Sequence, residues 1–207
     1  MKVLVACEFS GVVREAFRRR GHDAWSCDLL PAADGSPFHF EGDVLNLLSR
    51  SYIAAGNKPA WDLMIAHPPC TYLTRSGWHW VNKPDSETHP LKGEPRKRAA
   101  REAAEFFRQL LAVPIERIAI ENPRPIRHVD LPPAQQAIQP WEFGHGETKT
   151  TLLWLKNLPP LMATILDSKR EGRIWKEPPS PDRWKKRSIT YQGIADAMAE
   201  QWGSVLS

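Results

Sequence analysis

A short apolar run that two consecutive prolines stop constrains this chain more than any other feature. The run Leu63 to Ala66 is four residues long, which is typical of a buried strand. Pro68 and Pro69 must end this strand, because proline fixes φ and has no N–H for a ladder hydrogen bond. Cys70 therefore follows the carboxyl end of a strand, where open α/β sheets bind their ligands. A thiol on such a turn is placed for nucleophilic attack, although a lone cysteine is commonly a buried structural residue.

Apolar runs and helical patterns alternate along the chain. The predicted strands are Lys2 to Ala6, Asp23 to Cys27, a short strand before Glu41, Leu63 to Ala66, Arg117 to Ile120 and Thr150 to Leu155. Helical spacing of apolar residues predicts helices after Gly11, after Asp43, from Pro95 and from Tyr191. This alternation predicts an α/β fold with a mostly parallel, twisted sheet flanked by helices. We expect one domain over residues 1–207, with loop insertions at about 71–94 and 169–187.

The helix from Pro95 is predicted to be amphipathic. Its apolar positions should face the sheet: Ala99, Ala103, Phe106, Phe107, Leu110 and Leu111. Its basic positions should face outward: Arg96, Lys97, Arg98 and Arg101.

Composition sets further bounds on the kind of protein. The chain has 207 residues and a formal net charge of +4 at pH 7, with a pI near 9.0, so a polyanionic partner is admissible without being required. Its three cysteines lie far apart, without Cys-x-x-Cys or metal-ligand spacing, which argues against a disulfide framework and against a metal site. No run approaches the roughly 18 apolar residues of a membrane span. We therefore expect a soluble, cytoplasmic protein.

Acidic residues follow several of the predicted strands. Asp28 stands just past the second strand, where a nucleoside-binding fold places a carboxylate on ribose hydroxyls, although it could be simply a solvated side chain. Ser10 and Asp43 can cap the helices that follow them. Glu121 follows another strand, so it points into the same crevice as Cys70.

Two irregular segments combine cations with planar side chains. The first, from Thr71 to Glu94, holds Trp78 and Trp80, and the second, 169–187, carries eight Lys and Arg residues against three Asp and Glu. Such a mixture suits a phosphate backbone and unstacked bases, but a merely flexible basic loop would have the same composition.

With these motifs in this order, the chain resembles the DNA cytosine-C5 methyltransferases, which use S-adenosylmethionine. Phe9-Ser10-Gly11 is similar to the first motif of that family, and Pro68-Pro69-Cys70 with Ser76-Gly77 to its nucleophile loop. Glu121-Asn122 looks like its catalytic glutamate motif. The resemblance implies a Rossmann-like methyltransferase fold, S-adenosylmethionine as cofactor, and DNA as partner, either as a duplex with a flipped base or as a single strand.

The resemblance also implies roles for individual residues. It places the following residues at the cofactor: Phe9, Ser10, Gly11, Asp28, Asp43 and Pro68. It makes Cys70 and Glu121 the catalytic pair. Together with the basic segments, it places these residues at the substrate: Arg75, Trp78, Trp80, Asn122, Lys149, Thr151, Trp184 and Lys185.

Methyl transfer to C5 of cytosine needs both a thiol and a carboxyl group. C5 of cytosine becomes nucleophilic when a thiolate, here Cys70, adds at C6 and converts the ring into an enamine. An acid at N3 lowers the barrier, and a carboxyl group in a closed, low-dielectric pocket, here Glu121, is expected to have a pKa suited to that task. The base must leave the stack to be reached.

The sequence also departs from the family pattern. Val13 stands where a second glycine is usual, and Lys149 and Thr151 stand where the family has an Arg-x-Arg strand motif. About 50 residues follow Leu155, too few for the large target-recognition domain, so reduced sequence specificity is expected. Two alternatives stay open: modification of a nucleotide or another base by the same scaffold, and a catalytically decayed nucleic-acid-binding module. An amino-group methyltransferase is disfavoured, because Cys70 stands where that chemistry wants an aromatic residue.

Overall fold

A computed structural model of the chain describes residues 1–167, 170–172 and 183–206. Its strands are β1 (Lys2–Ala6), β2 (Asp23–Asp28), β3 (His39–Glu41), β4 (Leu63–Ala66), β5 (Arg117–Asn122), β6 (Gln136–Ile138) and β7 (Thr151–Lys156). Its helices are α1 (Val12–Arg18), α2 (Val44–Ala54), α3 (Gly93–Ala112), α4 (Arg183–Ser188) and α5 (Gln192–Gln201), with short 3-10 helices at Trp78–Asn82, Pro140–Glu142 and Gly203–Leu206.

The strands of the described ranges form one seven-stranded sheet in the order β3-β2-β1-β4-β5-β7-β6. The strands from β1 to β5 are parallel to their neighbours, and β7 runs antiparallel to both β5 and β6. The strand order reverses between β1 and β4, which makes the ends of these two strands the switch point where a ligand crevice forms. The predicted α/β, Rossmann-like fold with a mostly parallel sheet is confirmed.

Hydrophobic cores cover both faces of the sheet, which is why the central strands are apolar at every position rather than at alternate ones. On one face the sheet packs against α1 and α5 through these buried residues: Val3, Val5, Phe17, Ile65, Met198 and Trp202. On the other face α2 and α3 contribute, and the buried residues include Leu4, Leu48, Met64, Phe107, Leu110 and Trp154.

Two features of the fold differ from the expectations, and one predicted insertion is largely untested. Arg96 of α3 is buried instead of facing outward, because its guanidinium lies over the Tyr72 ring and against the 3-10 segment Trp78–Asn82. Strand β6 was not predicted. Most of the segment 169–187 lies outside the described residues, apart from 170–172 and the backbone of α4.

None of the helices within the described part of the chain is long and apolar enough to cross a membrane.

Candidate active site

The candidate site lies where β1, β4 and β5 end side by side. In the parallel ladders Ala6 pairs with Ala66, and Ala66 pairs with Ile120. The residues that come next on the three strands are therefore neighbours at the carboxyl edge of the sheet. They include Cys7 and Glu8 after β1, His67 after β4, and Glu121 near the end of β5.

The turn after β1 is built around a buried carboxylate. Glu8 accepts hydrogen bonds from the amides of Val13 at 2.7 Å and Arg14 at 3.2 Å, at the start of α1. Ser10 accepts a longer bond, 3.4 Å, from the Val12 amide and donates to Glu8. The capping role predicted for Ser10 thus falls mainly to Glu8. Burial raises the pKa of Glu8, although His67, the two amides and the Arg14 charge act in the opposite direction.

A buried arginine, Arg14, packs against the same turn. Arg14 is completely buried, and its guanidinium contacts Ser26, Glu15 and Asp34. Gly11 lies against the same guanidinium with a φ of 75°, so a side chain at Gly11 would be strained and would overlap Arg14. The glycine predicted at the cofactor therefore makes room for Arg14.

The edge of β2 carries features that fit a nucleoside. Asp28 is half-buried, and burial raises its pKa against the opposing effect of the Leu30 amide, which donates to it at 2.9 Å. A carboxylate can accept about four hydrogen bonds, so Asp28 keeps capacity for ribose hydroxyls. Leu29 next to it is 74% exposed and offers an apolar surface to a flat ring, which the sequence did not single out. Asp43 caps α2 through the Asn46 amide, as predicted, and faces solvent beside this edge.

Cys70 is held at the crevice by a link between β5 and the turn after β4. The side-chain amide of Asn122 donates a hydrogen bond to the backbone carbonyl of Pro68 at 2.8 Å, and both residues are buried. Asn122, predicted at the substrate, therefore fixes the Pro-Pro-Cys turn. Burial raises the pKa of Cys70 and the charge of Glu121 adds to this effect, while Lys149 and Arg187 oppose it.

The carboxylate of Glu121 is surrounded by groups that favour its charged form. Burial alone would raise its pKa, but the hydrogen bond with His67, the charge of Lys149 and a hydrogen bond with Thr151 outweigh burial, and the net effect is a lowered pKa. The expectation of a closed pocket that poises this carboxyl as an acid is corrected here. Lys149 and Thr151, predicted as substrate residues, thus lie at Glu121.

His67 is a site residue that the sequence did not reveal. Its Nδ1 lies 3.3 Å from Glu121 Oε2, and its side chain is only 8% exposed. Its Nε2 is buried without a hydrogen-bond partner among the described residues. The only available signal was its place directly before the proline pair, and its partner is 54 residues away in sequence.

The remaining predicted substrate residues lie in the segment between β4 and α3 and in α4. Arg75 is exposed, and Trp78 stacks on His128 with ring centroids 5.3 Å apart. Trp80 packs with His79, and Lys92 lies over its ring. The side chain of Trp184 lies outside the described residues, and Lys185 belongs to α4.

The residues at the edge formed by β1 and β2 fit the nucleoside half of S-adenosylmethionine. Asp28 presents a hydrogen-bond acceptor there, and Leu29 presents an apolar face. No cluster of three or more His, Cys, Asp or Glu side chains in the described ranges could hold a metal ion.

Comparison with solved structures finds a protein that shares this fold. One match is a crystal structure from E. coli described as a "putative DNA modification methyltransferase encoded within prophage". The TM-score is 0.51 at 16% identity, over 81% of this chain. The chain spans about half, 52%, of that structure's length. No family model and no curated protein matches the sequence.

Proposed function

We propose that this chain transfers a methyl group from S-adenosylmethionine to C5 of cytosine in DNA through a covalent bond between Cys70 and C6. The observation that carries the proposal is the convergence of Cys70 and Glu121 where the adjacent parallel strands β4 and β5 end, with the Glu121 charge raising the pKa of Cys70 and Lys149 acting on both. The fold shared with the prophage protein supports it.

Residues of this chain would hold the cofactor by its nucleoside half. Asp28 would accept hydrogen bonds from the ribose, while Phe9, Leu29 and Asp43 follow β1, β2 and β3 at the same carboxyl edge of the sheet and would receive the base. When bound, S-adenosylmethionine supplies an electrophilic methyl group.

In the proposed catalytic pair, one proton would first keep the Cys70 thiol neutral and would then be delivered to N3 of the cytosine. The raised pKa of Cys70 and the lowered pKa of Glu121 mean that near neutral pH the pair holds a single proton, on the thiol. When Cys70 adds to C6 as the thiolate, this proton becomes available to N3 through Glu121, where the electrons of the broken C5–C6 double bond arrive. C5 then takes the methyl group and gives its own proton to solvent. The thiolate leaves C6 as the C5–C6 double bond re-forms, and the N3 proton returns to the thiolate through Glu121.

The first test is direct. Purified protein should label DNA with the methyl group of radioactive S-adenosylmethionine, and an oligonucleotide containing 5-fluorocytosine should trap it covalently, because fluorine cannot leave C5 as a proton does. Cys70→Ser should form no adduct, whereas Cys27→Ser, which removes a buried thiol on β2, should still form it. Adduct formation by Cys70→Ser would contradict the assignment.

A further inference from the structure

A basic pocket opens between the loops that follow the two catalytic strands. Its volume is about 640 Å³, within the range of pockets that bind small ligands. Its chemistry-bearing lining residues are Arg75, Trp78 and His79 from the loop after β4, and Arg124, Arg127 and His128 from the loop after β5. The lining contains no acidic residue.

The guanidinium groups of the three arginines in this pocket are unpaired among the described residues. Arg75, Arg124 and Arg127 are exposed, and their side chains form no hydrogen bond or ion pair with another residue in the part of the chain that the structure describes. In contrast, Arg98 and Arg101 on α3 are paired with Glu87 and Glu94. Three unpaired guanidinium groups around one concave surface make a site for an anion with several oxygens, such as a phosphate.

The pocket also presents an aromatic surface. Trp78 lies nearly parallel to the His128 ring, with 30° between their planes, and this contact joins the two loops across the pocket. A stacked pair of flat rings can extend its stack by one further base.

The pocket is tied to the catalytic pair. Ile126 donates a backbone hydrogen bond to the Leu73 carbonyl at 2.7 Å, and Thr74 bridges Pro125. Arg75 follows Cys70 by five residues and Arg124 follows Glu121 by three. A DNA strand whose cytosine lies at Cys70 therefore places a neighbouring nucleotide at the opening of this pocket.

We propose that the pocket binds an unpaired nucleotide adjacent to the reacting cytosine, with its phosphate on Arg75, Arg124 and Arg127 and its base on Trp78. This assignment rests on the proposed function and adds to it a subsite for one flanking nucleotide. It favours a single-stranded or locally opened substrate, because a base that stacks on Trp78 is not stacked in a duplex.

The phosphate contact can be tested by salt dependence. Each phosphate contact on a single strand contributes a slope of about −0.7 to log K against log salt. For a short single-stranded oligonucleotide, Arg124→Ala/Arg127→Ala should remove this one phosphate contact and reduce the magnitude of that slope by about 0.7. The control Arg50→Ala/Lys58→Ala removes the same charge from exposed positions on and after α2, and should keep the wild-type slope. Equal slopes in all three proteins would overturn the proposal.

The base contact can be tested by a double-mutant cycle. An abasic residue on one particular side of the target should weaken wild-type binding roughly fivefold to 150-fold. The same abasic residue should weaken binding to Trp78→Ala only slightly. Trp78→Phe should recover part of the wild-type preference for the intact oligonucleotide over the abasic one. Melting curves of each variant identify any loss that arises from unfolding. Discrimination that is unchanged in a folded Trp78→Ala protein would overturn the stacking assignment.

The two proposals fail differently. Oligonucleotide binding that depends on Arg124, Arg127 and Trp78, in a wild-type protein that never forms the 5-fluorocytosine adduct, would support the pocket and contradict the methyl transfer. If wild type forms the adduct and every pocket variant keeps the wild-type affinity for the oligonucleotide, only the pocket proposal is overturned.

Discussion

At the scale of single residues, the ionisable groups of the crevice set one another's charge. Cys70 is kept protonated by burial and by Glu121, whereas Glu121 is kept ionised by His67, Lys149 and Thr151. The sites are therefore coupled, and a change at one of them should be measurable at another.

Alkylation of Cys70 by iodoacetamide measures this coupling. The rate should be slow at neutral pH and should rise as pH rises toward the raised pKa of the thiol. Glu121→Gln removes a negative charge that raises this pKa, so it should accelerate alkylation, because the gain in thiolate outweighs the loss of nucleophilicity. Lys149→Gln should slow it. The reverse order of these two variants would contradict the coupling, and Cys70→Ser gives the background from Cys7 and Cys27.

Asp28 is predicted to bind the cofactor ribose. Loss of a hydrogen bond to a charged group costs roughly 1.5–3 kcal/mol, or about tenfold to a hundredfold in affinity. Calorimetry should find this loss for S-adenosylmethionine binding to Asp28→Ala. Asp130→Ala, which removes an exposed carboxylate after β5, should bind like wild type. Unchanged affinity in Asp28→Ala would remove it from the site.

At the scale of elements, α1 depends on a cap that comes from the strand before it. Glu8→Ala leaves the amides of Val13 and Arg14 without their acceptor, and it should cost about 1–2 kcal/mol of unfolding free energy. Glu200→Ala breaks only an exposed ion pair with Arg20 and should stay near wild type in urea denaturation.

Glu8 should also make stability depend on pH. Because its pKa is raised in the folded state, the folded protein binds its proton more tightly than the unfolded chain does. Its contribution is complete below the ordinary pKa of glutamate and is lost as pH rises through the raised value. Glu8→Gln should therefore flatten the pH dependence of stability across that window, and a slope identical to wild type would exclude Glu8 as its source.

The elements that the sequence predicted correctly are those with local signals. The apolar runs of β1 and β4 and the Asp43 cap of α2 can each be recognised within a few residues. Arg96 could not be placed, because helical periodicity does not report that the segment Trp78–Asn82 covers that face of α3. Strand β6 has three residues and pairs only with β7 among the described strands.

The same distinction holds for the site. The positions of Cys70 and Glu121 at the carboxyl edge of the sheet were predicted because prolines mark the ends of their strands. Glu8 was passed over, because a carboxylate that caps a helix is recognised only from the fold, and His67 because its partner is distant in sequence.

At the scale of the whole molecule, nucleic-acid affinity should be governed by salt. The segment 169–187 is expected to add phosphate contacts, with a slope near −0.9 per duplex phosphate or −0.7 on a single strand. Lys185→Ala/Lys186→Ala should lower the magnitude of the slope in DNA titrations without lowering the melting temperature, and Trp184→Ala should weaken affinity. DNA affinity at low salt that survives both changes would assign this segment to structure.

The antiparallel strand β7 has a consequence for how the protein matures during synthesis. It inserts between β5 and β6, so β6 emerges from the ribosome before the strand with which it pairs. Until β7 arrives, β5 has an open edge, and such long-range pairing forms late in folding. Lys149 precedes β7 and Thr151 begins it, so both reach Glu121 only when β7 has paired with β5. Until the sheet is complete, a nascent chain would thus lack two of the groups that keep the Glu121 carboxylate ionised.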